Sequence, residues 1–132
     1  MYFSLNPASE QPVYQQIVDQ IKREIALGRL SSTDKIPTVR ELAAKLVINP
    51  NTIAKAYKIL EQQGIVVTRV GAGTFVSEAG SSLSDDARKT LVCGKLDSAA
   101  VEASTLRIAK PVVSEWFETI LNQFLFRDSE RN

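Results

Sequence analysis

Two helix-opening signals stand eleven residues apart near the middle of this chain, and a glycine-rich reversal follows them. Thr38, with Glu41 three residues on, forms a capping box that opens a short helix. The inward residues of that helix are Val39, Leu42, Ala43 and Leu46. Asn49 followed by Pro50 is a second start. The Asn oxygen can accept from the orphan amides of the first turn, and Pro suits the first helical position. Gly64 ends this helix. At ~100° per residue, Ile53, Ala56, Tyr57 and Leu60 share one face of it, and Asn51, Lys55 and Lys58 share the opposite face. Residues 65–69 are short and mostly β-branched, Gly71-Ala72-Gly73 turns, and Thr74-Phe75-Val76 returns as a hairpin. Helix, turn, helix and hairpin in that order predict a winged helix-turn-helix, a shape that sets its second helix into the DNA major groove.

The flanks complete the plan. Between Gln11 and Leu27, apolar groups at Tyr14, Ile17, Ile21 and Ile25 mark a helix that starts near Pro12 and stops at Gly28. A loop with Ser31, Ser32 and Asp34 follows. Glu78 to Asp86 is Gly/Ser-rich and reads as a linker. Beyond it, Val92, Leu96, Ala99, Ala103 and Leu106 step by four and three as a heptad seam. Gly94 lies inside that seam and disfavours helix by roughly 1 kcal/mol relative to Ala, so a bend or break is expected there. Pro111 marks a last helix whose broad apolar face carries Val113, Trp116, Phe117, Ile120, Leu121, Phe124 and Leu125. The expected fold is mostly α with a small β-hairpin wing. It divides into a winged helix-turn-helix over 1–77, a linker over 78–86 and a helical dimerisation tail over 87–132.

Composition narrows the function classes. No run of about 18 apolar residues is present, and the first residues lack a basic start and a long apolar core, which argues against a membrane span or a signal peptide. The single Cys93 rules out an internal disulfide, fits a cytoplasmic location and is read as a small buried hydrophobe. The net charge is only +1, but residues 1–77 hold nine Lys/Arg against six Asp/Glu. The basic surplus therefore sits where the motif sits. There is no histidine, no evident nucleophile–base pair and no phosphate-cradling loop ahead of a helix, so an enzyme is not expected, nor is a cofactor or a metal site.

The runs Pro12-Val13-Tyr14-Gln15-Gln16-Ile17, Ile36-Pro37-Thr38-Val39-Arg40-Glu41-Leu42-Ala43, Asn49 to Tyr57, Leu60-Glu61 with Gly64, and Gly71 to Val76 together resemble the GntR family of bacterial transcription regulators, in particular its YtrA-like subfamily. They cover residues 12–76 almost without gaps. The resemblance implies a homodimer, most often a repressor, on a palindromic double-stranded operator. It also implies control of its own operon, often with ABC-transporter genes, and about two dimerising helices in place of a large effector domain. By the same resemblance Arg40 contacts DNA, Asn49, Asn51 and Thr52 form the polar start of the recognition helix, Lys55 follows on its exposed face, and Gly71 and Gly73 form the wing turn. Two residues depart from the pattern. Val47 stands where the family usually has Gly, and a turn needing φ > 0 disfavours Val, so a locally rebuilt turn is expected. Ala72 replaces a basic wing-tip residue and removes a charge destined for the minor groove, leaving Arg69 to reach phosphate.

Recognition needs groups that fix register on phosphate and groups that read base edges. Asn51 can pair bidentately with adenine, and Arg40 with guanine or a phosphate. Thr52 and the amides at the helix start suit phosphate, and Lys45, Lys55 and Lys58 supply counterion release. Plainer readings stand beside these. Thr38 and Asn49 are also explained as caps, Arg40 as an ion-paired surface residue, Lys55 and Lys58 as a solvated face, and the two glycines by the turn alone. Val92, Leu96, Ala99, Ala103, Leu106, Trp116, Phe117, Ile120 and Phe124 read as dimer core sooner than as a ligand pocket. The rival function is a winged-helix protein-interaction adaptor, whose exposed helix face should be apolar. The sequence does not identify a small-molecule effector.

Overall fold

Helix α1 (Val13–Ala26) forms because its apolar residues recur at helical spacing, and it buries Ile17, Val18 and Ile21 completely. In the computed structural model, which describes residues 3–78 and 80–126, the chain divides into two compact units, Met1–Ser82 and Leu83–Asn132. The amino-terminal arm is strapped onto α1 by Gln16. Its amide nitrogen donates to the Asn6 and Gln11 carbonyls, and its oxygen accepts from the Asn6 amide. Phe3 closes that end of the core.

The next elements are β1 (Lys35–Ile36), α2 (Val39–Leu46), α3 (Pro50–Gln62), β2 (Val66–Arg69) and β3 (Gly73–Val76). The capping box is complete. Thr38 Oγ1 accepts from the Glu41 amide at 3.0 Å, and the Thr38 amide donates to Glu41 Oε1 at 2.9 Å. Helix α3 buries Ile53, Ala56, Tyr57 and Leu60, the set its periodicity predicts. Full burial of an Ile or Leu side chain stabilises by about 1.5–3 kcal/mol, so this stripe fixes how α3 is rolled and which face it leaves outward. The sheet is antiparallel in the order β1-β3-β2. Ile36, Val66, Thr74 and Val76 lie on its buried face.

Two expectations change in this unit. The segment read as loop contains β1, which adds a third strand to the hairpin. The turn at Val47 is not rebuilt: Val47 itself adopts the left-handed conformation, at φ 56 and ψ 52. That geometry lets the Ile48 amide reach back to the Ala43 carbonyl at 3.0 Å and close α2.

In the second unit, α4 (Asp85–Thr105) starts on a Ser84 cap and runs unbroken through Gly94. The expected break does not occur, because one glycine's deficit is small beside the hydrogen bonds of a 21-residue helix. Helix α5 (Lys110–Leu121) follows. Phe124 and Leu125 lie past its end, so the apolar helical face is shorter than expected. Neither α4 nor α5 contains a buried residue, and Cys93 is exposed, contrary to its reading as a buried hydrophobe.

Candidate nucleic-acid interface

The outward face of α3 follows from its inward one. With Ile53, Ala56, Tyr57 and Leu60 in the core, Asn51, Lys55 and Lys58 are all exposed. Asn49 caps the helix, its Oδ1 accepting from the Asn51 amide at 2.8 Å, and the Thr52 amide donates to the Asn49 carbonyl at 2.9 Å. Those two amides are therefore engaged within the helix start. The half-buried Thr52 hydroxyl stands at the same end. The expectation of open amides at this helix start is not met, since both are hydrogen-bonded to Asn49.

Two basic side chains are steered by aromatic rings. The Lys55 ammonium lies 4.0 Å from the centre of the Tyr14 ring, a cation–π contact from α1 to α3. The Arg69 guanidinium lies 5.4 Å from the centre of the Phe75 ring on the wing. The sequence places Tyr14 on the apolar stripe of α1 and in the Pro12 to Ile17 run. Its role toward Lys55 depends on the α1–α3 crossing, which no local pattern encodes.

Arg40, the second residue of α2, is exposed and lines a shallow recess with Ala44, Val47 and Pro50, so it stands beside the start of α3. The corner that carries α2 is tied to α3 by Tyr57, whose hydroxyl donates to the Pro37 carbonyl at 2.6 Å. Burial, with the Glu41 charge adding to it, pushes the Tyr57 hydroxyl far above the usual phenol range, so it remains a donor. Thr38 is half-buried, and its oxygen accepts within the capping box. Its hydroxyl proton can still donate outward.

On the wing, Gly71 is exposed at φ 80, and Gly73 takes φ 126 beneath a neighbouring side chain. A Cβ at Gly73 would sit 2.6 Å from Cε of Lys35. Arg69 is exposed opposite Gly73 in the β2–β3 register. The predicted DNA residues thus gather at the α2–α3 corner, along the outward face of α3 and on the wing. Lys35 joins them from β1, where sequence reading saw only loop.

In the second unit, Leu96, Ala99, Ala103, Leu106, Trp116, Phe117 and Ile120 all line one apolar groove of about 450 Å³ between α4 and α5. Val92 and Phe124 do not line it.

The family model for bacterial regulatory proteins of the gntR family matches residues 13–76. The HTH-type transcriptional repressor YtrA of Bacillus subtilis is 35% identical over 116 residues, spanning 88% of this chain and 89% of that relative. A crystal structure of a transcriptional antiterminator from Listeria monocytogenes superposes with a TM-score of 0.84 at 29% identity, covering 100% of this chain and 98% of the other. The DNA-binding domain of AraR, solved in complex with operator ORX1, aligns with a TM-score of 0.50 at 35% identity, over 57% of this chain and 93% of that one.

Proposed function

This chain belongs to the GntR family of bacterial regulatory proteins, and from that premise we propose that it is a dimeric repressor that grips a palindromic operator with α3 of each copy in the major groove. It is a DNA-binding transcription regulator and not an enzyme. The observation that carries the proposal is the outward face of α3. A buried apolar stripe holds the helix in place, and Asn51, Lys55 and Lys58 are exposed on its other side. An adaptor helix would need an apolar outward face, and this one is polar and basic.

The contacts divide by chemistry. Asn51 reads a base edge, and Arg40 reads guanine or holds a phosphate. Thr38, Asn49 and Thr52 serve the backbone at the helix starts, while Lys55, Lys58 and Arg69 bring charge to phosphate. Gly71, open at the wing tip, lets the wing approach the duplex closely, and Gly73 serves the turn that presents it.

Dimerisation through residues 87–132 is supported by what the tail lacks. Its two helices bury nothing of their own, and Trp116, Phe117 and Ile120 are each 42–51% exposed beside the apolar groove. A contiguous apolar surface of this kind marks an interaction face. A second copy related by a two-fold also doubles the base pairs read. The dimer acts in the cytoplasm, where its operator is. Among the described residues, no helix is long and apolar enough to cross a membrane. The regulated genes are its own operon, with transporter genes beside it.

The test is a gel shift and footprint of the full chain on its own promoter region, with competition by unrelated DNA. A protected two-fold site that resists competition is the expected result. Uniform, sequence-blind binding would refute the proposal.

A further inference from the structure

The tip of the wing carries no charge: it reads Val70-Gly71-Ala72, and all three residues are exposed. The cations stand instead on the outer face of the sheet. Strand register puts Lys35 opposite Phe75, Phe75 opposite Val67, and Gly73 opposite Arg69. Side chains alternate along a strand, so Lys35, Phe75, Gly73, Val67 and Arg69 share one face, while Ile36, Thr74, Val76 and Val66 are buried on the other. Arg69 is steered by the Phe75 ring. The Lys35 stem lies across Gly73, where an added Cβ would be 2.6 Å from its Cε and 3.4 Å from its Nζ. The missing Cβ therefore leaves a slot that leads the lysine toward the hairpin turn from the β1 side, as Arg69 approaches from the β2 side.

The carboxylates of this region are engaged by other groups. Glu41 accepts from the Thr38 amide, Glu61 is hydrogen-bonded to the Thr68 hydroxyl, and Asp34 accepts from the Ser31 amide. The Glu41 carboxyl is lowered chiefly by the Thr38 amide and only last by the Lys35 charge, and no ion pair holds the lysine among the described residues. An exposed ammonium beside an uncharged hairpin tip, paired with a second cation across the strand, suits an anion that bridges the two.

We infer that Lys35, seated over Gly73, is a DNA-backbone contact of the wing and takes, with Arg69, a phosphate that the uncharged tip cannot hold. This rests on the operator-binding reading and adds to it a residue outside the recognition helix. A phosphate contact carries no sequence information, so its loss should weaken all sequences alike.

The experiment measures affinity against salt for the full chain, its K35Q variant and its K35R variant, on a site selected by the wild type. Each lost phosphate contact removes about 0.9 from the slope of log K against log salt. Between about 50 and 200 mM salt, K35Q should therefore lose roughly 3-fold less affinity per bound copy than the wild type. K35R should keep the wild-type slope, and sequence preference should be the same for all three. Phosphate-ethylation interference should show one position per half-site that blocks the wild type but not K35Q. Matching melting temperatures separate a lost contact from a damaged sheet. An unchanged slope and an unchanged interference pattern in K35Q would overturn the inference while leaving operator binding intact. A wild type that binds without sequence preference would overturn the operator reading and this one with it.

Discussion

Val47 offers a direct test of how the helix-turn-helix corner is held. Its backbone lies at φ 56 and ψ 52, and its side chain is 89% exposed. An L-residue in this region is disfavoured by roughly 1–2 kcal/mol, and a β-branched one falls at the upper end. So exposed an isopropyl group contributes little burial in return. Replacing Val47 with Gly removes the steric strain but gives the unfolded chain more freedom, which offsets about 0.5–1 kcal/mol. The net gain for V47G is about 1–1.5 kcal/mol. Asn tolerates the left-handed region without glycine's entropy, so V47N should gain about as much or slightly more. For a unit of this size, 1 kcal/mol shifts the melting temperature by roughly 4–8 °C.

Thermal melts followed by circular dichroism, at one fixed protein concentration, give the measurement. The expected order is V47N and V47G above V47A, with wild type lowest. The refuting result is V47G and V47N melting at or below the wild type. That would mean the valine's contacts in the recess with Arg40, Ala44 and Pro50 outweigh its backbone strain.

Three further outcomes follow from the same geometry. Y57F removes the hydroxyl that donates to the Pro37 carbonyl and should destabilise by about 1–2 kcal/mol in chemical denaturation, with operator affinity falling as the α2–α3 corner loosens. Glu41 has its carboxyl held below the ordinary value of 4.5, chiefly by the Thr38 amide. Its contribution is therefore fully present above about pH 4.5 and is lost as pH falls through the lower folded value; E41Q should flatten that acid limb in pH-dependent melts. W116E with F117E should shift the full chain from dimer to monomer, or render it insoluble, by sedimentation; an unchanged dimer would place the interface elsewhere.

The legible parts of this molecule are those whose causes are local. The capping box at Thr38, the Asn49-Pro50 start and the spacing of Ile53, Ala56, Tyr57 and Leu60 are each fixed within one or two turns of chain. Strand β1 is two residues long and exists only because β3 lies beside it, so nothing in Lys35-Ile36 alone distinguishes it from loop. Val47 misled because residue preference was weighed without its neighbours: the Ile48 amide on the Ala43 carbonyl and the half-buried Ile48 side chain hold the turn against that preference. Cys93 misled through average burial statistics, which assume a chain that covers its own apolar residues. On α4 every residue is at least partly exposed.

A net charge of only +1 is a small obstacle to DNA binding when the cations are ordered in advance. What an interface gains from a cation depends on the freedom that cation gives up on binding, and a long basic side chain loses roughly 2 kcal/mol when fully fixed. Three of the cations proposed for the interface are already guided in the unbound chain: Lys55 by Tyr14, Arg69 by Phe75 and Lys35 by the slot over Gly73. The guides come from two elements of the fold, Tyr14 from α1 and both Phe75 and Gly73 from β3. The winged unit thus contributes more than a scaffold for α3. By ordering these basic side chains before contact, it lowers the entropy cost of each phosphate contact proposed above.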